Sequence, residues 1–404
     1  MQKRLIIYSP GAYMASGHAF DYVGGLGAAL SNKGVVVHVV GLQGPLSLPP
    51  IIRQHRVSAH AQGVIRARRG QFGPLGDVAF GLRRLRGGRR LLRKALSLHA
   101  ELDAPHILFE TFEYVTLGRV LRTQGLRNGC SCIFHDTNFS ASQYSFVTAV
   151  YKFAVRRYVR MILEAVSVAY VHGPHMRANL LRLVGLDGND AVAGKTQAIP
   201  HGAPNPQTVE QIEPQVARSR LGLPRGCRVL LAFGTLRRDK KYDTIVEALA
   251  EAPGWLLLFA GPEGGYTYDS LMALAARHAV QDRVRIFPGY VPVEDHPLFF
   301  GAADAVAAIY DQRVRHESGT GQKARAFLKP IIVGGGPDLL EYAAAREVGW
   351  TVDSSRPQTL SSVLNQISGL GELERSALRE RIRECAVERS WDAVADVILS
   401  RSLG

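Results

Sequence analysis

Three short stretches combine small, hydroxyl and basic residues in patterns suited to holding a phosphate group. One contains Ser318, Gly319, Thr320 and Gly321 ahead of a helix-like run, SGTGQKARAFLKP, so that hydroxyls and backbone amides would meet at a helix N-terminus. The pattern is not a Walker loop, because the Gly-x-x-x-x-Gly-Lys-Ser/Thr spacing is missing. It nevertheless predicts a cradle for a diphosphate.

The other two stretches lie where an expected strand gives way to a helix, and they also predict the binding of an anion. In LLAFGTLRRDKKYDTI an apolar run ends at Gly234 and is followed by basic residues at 237, 238, 240 and 241. Basic side chains at the carboxyl end of a strand are placed to pair with phosphate oxygens. In SPGAYMASGHAF, Gly17 would allow a ligand to approach the backbone, although no Gly-x-Gly-x-x-Gly fingerprint follows.

A second set of residues could handle a proton. Glu110 and Glu113 follow the apolar run HILF, and His135 follows the apolar run CIF. Either acid or His135 could orient an acceptor hydroxyl or take its proton during a transfer reaction. The alternating apolar and polar residues after HILF are also compatible with a strand end whose acids face solvent.

No metal site is predicted. His172 and His175 in VHGPHM could bind a metal as a pair, but the sequence offers no third ligand, so a helix-capping or site-lining role is favoured. The chain has no Asp-x-Asp that would bridge a diphosphate through a divalent cation. The four cysteines show neither disulfide density nor zinc spacing, and Cys130 and Cys132 are expected as buried thiols of a strand in a reduced compartment.

The elements that must position these residues alternate along the chain. Short β-branched runs separated by helical stretches predict parallel sheets built from βαβ units, and two such series predict two doubly wound domains. The proline-containing segment His201–Gln215 lies between the series and is expected to be the linker. The expected strands are Leu5–Tyr8, Val35–Val40, His106–Phe109, Cys132–Phe134, Val168–Val171 and Gln197–Ile199, then Val229–Phe233, Trp255–Ala260, Val284–Phe287, Ala305–Ile309, Ile331–Val333 and Gly349–Val352.

Composition and charge indicate a globular protein with an anionic partner. The chain has 404 residues with 46% hydrophobic and 21% charged residues, which are globular values for about two domains. Residues 1–200 hold 25 Lys and Arg against 10 Asp and Glu, whereas residues 201–404 hold 24 against 25. The excess positive charge of the first half points to an anionic surface as a partner. The first apolar run is too short for a signal peptide, and a cytoplasmic location is expected.

Five motifs in order resemble family-4 glycosyltransferases of the GT-B fold. GLGAALSNKGVVVHVVG is similar to that family's first helix and second strand, and IPHGAPNP to the turn that ends its first domain. FGTLRRDKKYDTIVEAL is similar to its donor-phosphate motif, with Lys240 on the lysine and Thr235 where the family has arginine. SGTGQKARAFLKPIIVGGG resembles its donor motif, with Lys323 where the second glutamate falls, and RSWDAVADVIL its terminal helix.

The resemblance implies an α/β protein with two Rossmann-like domains facing a central cleft and a C-terminal helix that crosses back to the first domain. The implied parts are an acceptor-binding domain (1–203), a linker (204–216), a nucleotide-sugar-binding domain (217–385) and a terminal helix (386–404). It implies metal-independent, retaining transfer of a sugar from a UDP or GDP donor to a glycan or lipid-linked acceptor. Gly17, Gly234, Arg237, Lys240, Glu317, Ser318, Gly319, Thr320 and Gly321 are assigned to the donor, and Glu110, His135 and Lys240 to catalysis.

If the resemblance holds, the basic segment GLRRLRGGRRLLRKALSLHA is expected to contact a membrane. Enzymes of this family that build lipid-linked glycans often touch the inner leaflet through a basic, amphipathic element of the first domain. We expect Gly87-Gly88 to split the segment into two short amphipathic helices that hold the protein peripherally at the inner face of the membrane. The cations involved would be Arg83, Arg84, Arg86, Arg89, Arg90, Arg93 and Lys94.

Two alternatives remain from the sequence. A nucleic-acid-binding protein would use the positive first half, but aromatic residues do not interleave with the arginines and no helix-turn-helix or RNA-binding signature is present. A sugar-nucleotide epimerase of the same architecture would need acids facing the donor, whereas the donor-side motifs are basic. Consumption of the sugar nucleotide only in the presence of an acceptor would distinguish the transferase from the epimerase.

Overall fold

The structure is a computed structural model that describes residues 2–14, 19–58, 73–103, 106–123, 126, 129–135, 137, 146–312, 314, 318–336, 340 and 348–404. For residues 73–87, 146–152 and 154 it describes the backbone only. The chain forms two compact units: unit 1 comprises Met1–Gly202 and Trp391–Gly404, and unit 2 comprises Ala203–Ser390.

Unit 1 is built on a seven-stranded parallel sheet in the order β3-β2-β1-β4-β5-β6-β7. Its strands are β1 Arg4–Tyr8, β2 Val36–Leu42, β3 Arg53–Val57, β4 Ile107–Phe109, β5 Cys130–Phe134, β6 Val168–His172 and β7 Thr196–Ile199. Its helices are α1 Ala19–Asn32, α2 Gly73–Leu102, α3 Tyr114–Thr123, α4 Phe146–Ala165, α5 Pro174–Leu183 and α6 Asp190–Lys195, with a terminal helix Trp391–Ser402 described below.

Both faces of this sheet are buried, as expected for parallel strands covered by helices. Side chains alternate along β1, so Ile6 and Tyr8 pack into a cluster with α2 to α5, whereas Leu5 and Ile7 pack into a cluster with α1 and the C-terminal helix. The predicted strand thiols are present: Cys130 and Cys132 are buried and unbridged in β5.

Unit 2 contains a six-stranded parallel sheet in the order β10-β9-β8-β11-β12-β13. The strands are β8 Arg228–Phe233, β9 Trp255–Gly261, β10 Val284–Pro288, β11 Ala305–Ile309, β12 Ile331–Gly334 and β13 Gly349–Thr351. The helices are α7 Pro214–Arg220, α8 Tyr242–Ala250, α9 Tyr268–Arg277, α10 His296–Ala302, α11 Gly319–Ala326, α12 Pro357–Gly369 and α13 Glu372–Glu388. Residues of α8, α9 and α12 cover one face, and residues of α7, α10 and α11 cover the other.

The structure contains the two predicted sheets and the predicted C-terminal helix, and it also contains one strand that was not predicted. The two doubly wound sheets have the strands expected from the alternating pattern. The C-terminal helix, α14 Trp391–Ser402, is part of unit 1, where Val394 and Ile398 are fully buried against α1. Strand β3 was not predicted, because RQHRV has a polar composition and forms a half-exposed edge of the sheet.

Trp391 at the start of α14 packs against a glycine of α1. A methyl group added at Gly25 would collide with its indole, whereas one added at Gly24 would meet Leu48 at an ordinary 3.6 Å. We expect Gly25→Ala to lower the free energy of unfolding by about 1–3 kcal/mol and Gly24→Ala to leave it unchanged or raise it, because alanine favours a helix more than glycine. Paired thermal unfolding of both variants measures this; equal melting temperatures would show that the indole does not pack there.

The prediction that Gly87-Gly88 divides the basic segment into two helices is wrong. Helix α2 runs unbroken from Gly73 to Leu102. Two helical glycines cost only about 1 kcal/mol each, and Leu91, Leu92, Ala95 and Leu98 offset that cost by packing into the core of unit 1. Leu91 and Leu92 therefore face the protein interior, while Arg89, Arg90, Arg93 and Lys94 are exposed.

Within the described part of the chain, no helix has both the length and the apolar character needed to cross a bilayer.

Candidate functional site

The loop after β8 is held at the carboxyl end of the unit 2 sheet by its neighbours on both sides. The Leu236 amide donates to Pro262 O at 2.8 Å beside the end of β9, and the Lys241 amide donates to Ile309 O at 3.1 Å at the end of β11. Gly234 begins this loop with a φ of +90°, a conformation that glycine adopts without strain. The basic loop is therefore fixed to the sheet rather than free in solvent.

Lys240 extends from this loop back to the end of its own strand. Its Nζ donates to Phe233 O at 2.9 Å. Burial lowers the pKa of Lys240 to about 7, with nearby Arg237 lowering it further and Asp239 opposing both. An incoming anion favours the charged form of such a lysine, because the charge pairing offsets the hydration that burial has removed.

The other basic residues of the loop have different surroundings. Arg237 makes a two-pronged ion pair with Asp239, with Nε to Oδ1 at 2.9 Å and Nη2 to Oδ2 at 2.8 Å. Arg238 donates to Gly265 O at 2.8 Å and is exposed. Arg237 is thus oriented by an acid of its own loop, with its side chain 41% exposed and able to meet a second anion.

The hydroxyl-bearing turn lies next to Lys240. Ser318 is the N-cap residue of α11, and its buried hydroxyl shares a 2.8 Å hydrogen bond with the hydroxyl of Tyr310. Thr320 Oγ1 donates to Phe233 O at 3.1 Å, the same carbonyl that Lys240 contacts. The structure therefore brings the predicted Lys240 and Thr320 together at the end of β8.

These hydroxyls fix the start of α11. The backbone amides of Gly319, Thr320 and Gly321 form the first turn of that helix, at its positive end. A helix start oriented by side-chain hydrogen bonds and placed beside a lysine is a suitable site for a phosphate group.

An open hollow of about 420 Å³ lies beside this cluster within unit 2. Its lining includes Lys240 and Tyr242, together with Tyr266 and Thr267 near the start of α9. Its volume is within the range of small-molecule sites in proteins.

A second cluster of chemical groups lies in unit 1, where the predicted Glu110 and His135 are in contact. Glu110 is fully buried at the end of β4, and its Oε1 lies 2.9 Å from His135 Nε2. Thr111 Oγ1 donates to the other carboxylate oxygen, Oε2, at 2.6 Å. On its far side, His135 Nδ1 is 3.0 Å from His172 Nε2. The carboxylate is thus within ion-pair distance of His135, and His135 in turn contacts a second imidazole.

Two neighbouring residues considered from the sequence have other positions. Glu113 is the helix cap of α3, since its carboxylate accepts from the amides of Val115 at 3.0 Å and Thr116 at 2.7 Å. His175 is exposed on α5, whereas His172 is buried. The pairing of His172 with His175 considered from the sequence is therefore not what the structure shows.

Two residues of the site were missed by the sequence analysis. Tyr310 directly follows β11, and its position at the carboxyl end of an apolar strand was the available signal. The ring centroid of His201 lies 4.8 Å from that of His172. The sequence analysis considered His201 only within the proline-containing segment, although it follows β7 by two residues. Gly17 and Glu317, both predicted at the donor site, lie outside the described residues.

The chain is similar to known proteins in sequence and in fold. Residues 215–386, nearly all of unit 2, match the family described as Glycosyl transferases group 1. Over 206 residues the chain is 29% identical to the D-inositol 3-phosphate glycosyltransferase of Jonesia denitrificans, a match that covers 48% of this chain and 46% of that protein. The chain thus spans about half the length of this curated relative.

Two solved structures extend the likeness to the whole chain. Sucrose-phosphate synthase of Thermosynechococcus elongatus superposes with a TM-score of 0.74 at 21% identity, covering 100% of this chain and 99% of that chain. HepE of Anabaena, solved in complex with UDP and glucose, superposes with a TM-score of 0.66 at 15% identity and covers 100% and 99%. At these identities the likeness establishes the fold.

Proposed function

We propose that the protein is a retaining glycosyltransferase, because residues 215–386 match the family described as Glycosyl transferases group 1 and the chain has the GT-B fold. It moves a sugar from a nucleotide-diphosphate donor to a glycan or lipid-linked acceptor in the synthesis of a cell-surface polysaccharide or glycolipid. The observation that carries the proposal is the meeting of Lys240, Thr320 and the start of α11 at the end of β8.

Unit 2 would bind the donor diphosphate. As the bond between the sugar and the phosphate breaks, negative charge grows on the leaving diphosphate, and fixed donors aimed at that charge stabilise the transition state. Lys240 and Arg237 supply cationic charge, and the amides of Gly319, Thr320 and Gly321 supply hydrogen bonds. The Ser318 and Thr320 hydroxyls hold this turn in place through Tyr310 and Phe233 O.

We propose that these cations take the part that a divalent metal plays in other transferases, so that no metal bridges the diphosphate. UDP is the first donor nucleotide to test, because HepE was solved with UDP and glucose; GDP is the second.

Unit 1 would supply the acceptor-side groups. Glu110 lies within hydrogen-bond distance of His135, so the carboxylate can stabilise the imidazolium that forms when His135 accepts a proton. A base held in this way can take the acceptor's proton late in transfer.

A direct assay compares sugar-nucleotide consumption with and without added acceptors. The proposal expects release of nucleoside diphosphate only when an acceptor is present, and proton NMR of the product should show the anomeric configuration of the donor. Interconversion of the donor to another sugar nucleotide without acceptor would instead identify an epimerase. An inverted product would contradict the retaining mechanism.

The pKa of Lys240 gives a pH signature of donor binding. In the protein without a bound ligand the pKa of Lys240 is about 7, so a large fraction of Lys240 is neutral above pH 7. A bound diphosphate raises that pKa. We expect uptake of a substantial fraction of a proton on UDP binding near pH 8, and an affinity that falls as the pH rises above 7. Calorimetry in Tris and HEPES measures the uptake.

The matched control for this pH signature is Lys240→Arg, because arginine stays protonated at every pH used. The variant should bind UDP without proton uptake. Equal uptake by both proteins would show that another group titrates.

The exposed cations of α2 support a second part of the proposal, a peripheral contact with an anionic membrane surface. Arg89, Arg90, Arg93 and Lys94 are exposed, whereas the neighbouring Leu91 and Leu92 are buried. The contact would therefore be electrostatic and would not insert leucines into the bilayer. Each basic residue near such a surface contributes about 1 kcal/mol.

We expect the protein to float with vesicles containing phosphatidylserine at low salt and to be released at about 0.5 M salt, where charge screening is strong. Neutral phosphatidylcholine vesicles are the control. Replacing Arg89, Arg90, Arg93 and Lys94 together by glutamine should abolish flotation, and flotation of that variant equal to wild type would contradict the assignment.

A further inference from the structure

Three histidines at the carboxyl ends of three successive strands meet in unit 1. His135 follows β5 by one residue, His172 ends β6, and His201 follows β7 by two residues. Because β5, β6 and β7 are adjacent and parallel, their carboxyl ends lie side by side. We propose that His135, His172 and His201 form a binding site for one divalent cation of the zinc type, held in orientation by Glu110.

The distances suit a shared cation. One nitrogen from each histidine lies within 4.8 Å of the other two, and His135 Nδ1 and His172 Nε2 are 3.0 Å apart. Zn–N bonds of about 2.0–2.1 Å in a tetrahedral arrangement place ligand nitrogens roughly 3.3 Å apart. The pair His135 and His172 is already at this spacing, and His201 must approach by at most about 1.5 Å, from a half-buried position in a loop.

Glu110 provides the outer contact that such sites require. Metal-binding histidines characteristically donate their second ring N–H to a carboxylate, which fixes the tautomer and raises the basicity of the ligating nitrogen. Glu110 Oε1 lies 2.9 Å from His135 Nε2. With the proton on Nε2, the lone pair of His135 Nδ1 points toward His172. The buried carboxylate also offsets part of the charge of the cation.

The surrounding rings make the site largely apolar. Tyr22 is 0% exposed, and its ring centroid lies 4.8 Å from that of His135, 5.6 Å from that of His172 and 5.2 Å from that of His201. The ring centroid of Trp391 lies 4.8 Å from that of Tyr22 and 6.4 Å from that of His201. An aromatic wall of this kind limits the access of water to a site and lowers the local dielectric constant.

The ligand set selects the type of metal. Three neutral imidazoles favour Zn²⁺, Co²⁺, Ni²⁺ and Cu²⁺ over Mg²⁺ and Ca²⁺, which prefer oxygen. Three protein ligands leave a fourth position for an oxygen ligand, the arrangement of open zinc sites. The proposal concerns unit 1 alone and does not depend on donor binding by unit 2. A cation on Nδ1 and the Glu110 contact at Nε2 occupy both ring nitrogens of His135, so His135 can act as a base in the transfer only in the metal-free protein.

The test is a titration of untagged, chelator-treated protein with Co²⁺. We expect visible d–d absorption of the intensity typical of four-coordinate Co²⁺, saturating at one equivalent and abolished by Zn²⁺, and a melting temperature that rises with Zn²⁺. His172→Gln and His201→Gln should each weaken binding at least 100-fold, and Glu110→Gln about 10–100-fold. The control His175→Gln replaces an exposed histidine of α5 and should bind like wild type.

Two outcomes would overturn the proposal. One is the absence of a saturable band in wild type, which would leave the three histidines as a hydrogen-bonded cluster. The other is binding that survives both His172→Gln and His201→Gln. Circular dichroism and the metal-free melting curve of each variant establish that it is folded, so that a loss of Co²⁺ binding reports on the ligands.

Discussion

Lys240→Ala should lower transfer activity by a factor on the order of 100 or more and weaken UDP or GDP binding to a similar degree. Lys240 is the cation whose Nζ lies against the end of β8 beside the start of α11. Its pKa is held near 7 by burial, so its charge is stabilised most when a diphosphate is bound. Loss of that charge affects the leaving group directly.

The fold should tolerate this substitution. Phe233 O keeps its hydrogen bond from Thr320 when Lys240 is removed, and the backbone bonds of the loop to β9 and β11 remain. A matched control is Arg225→Ala, which removes an exposed cation just before β8, at the opposite end of the same strand. The assignment fails if Lys240→Ala retains wild-type affinity, or if Arg225→Ala loses as much.

Glu110→Gln should reduce transfer by about 10²–10⁴-fold while leaving donor binding to unit 2 intact. The amide keeps an oxygen that can accept from His135 Nε2, but it removes the charge that stabilises a protonated His135. Initial rates at saturating donor measure the loss, and calorimetric titration with UDP shows whether the donor site is unchanged. Activity should be compared in chelator-treated and Zn²⁺-supplemented protein, because Glu110 also contacts a proposed metal ligand.

Glu113→Gln is the control for Glu110. Both acids are buried and follow the same strand, but Glu113 accepts from the first amides of α3. Its replacement should lower the melting temperature, because it weakens a charged helix cap, and should leave turnover per folded molecule unchanged. Equal losses of activity from both variants would mean that Glu110 acts only by supporting the fold.

Much of the fold could be predicted because local patterns and tertiary packing agree. Buried parallel strands are continuous apolar runs, and the helices between them are long enough to be recognised. Helix α2 shows where local reasoning failed. The glycines at 87 and 88 disfavour a helix locally, but the leucines at 91 and 92 are held in the core, and packing outweighs the local cost.

The two candidate sites differ in how far the sequence could show them. Lys240 follows β8 and Thr320 follows β11, each at a strand-to-helix junction that the sequence pattern shows. The two residues meet at Phe233 O because β8 and β11 are neighbours in the sheet. The histidine cluster needed the order of β5, β6 and β7, which joins residues separated by 37 and 29 positions. His201 carried no local signal, because a histidine after a short strand in a proline-containing segment is typical of a linker.

The most direct test of the account is calorimetric titration of the protein with UDP, GDP and ADP. The account predicts that one nucleoside diphosphate, UDP or GDP, binds at a single site, that Lys240→Ala abolishes this binding and that Glu110→Gln preserves it. Failure of all three nucleotides to bind, or equal binding by Lys240→Ala, would contradict the assignment of unit 2 as the donor site.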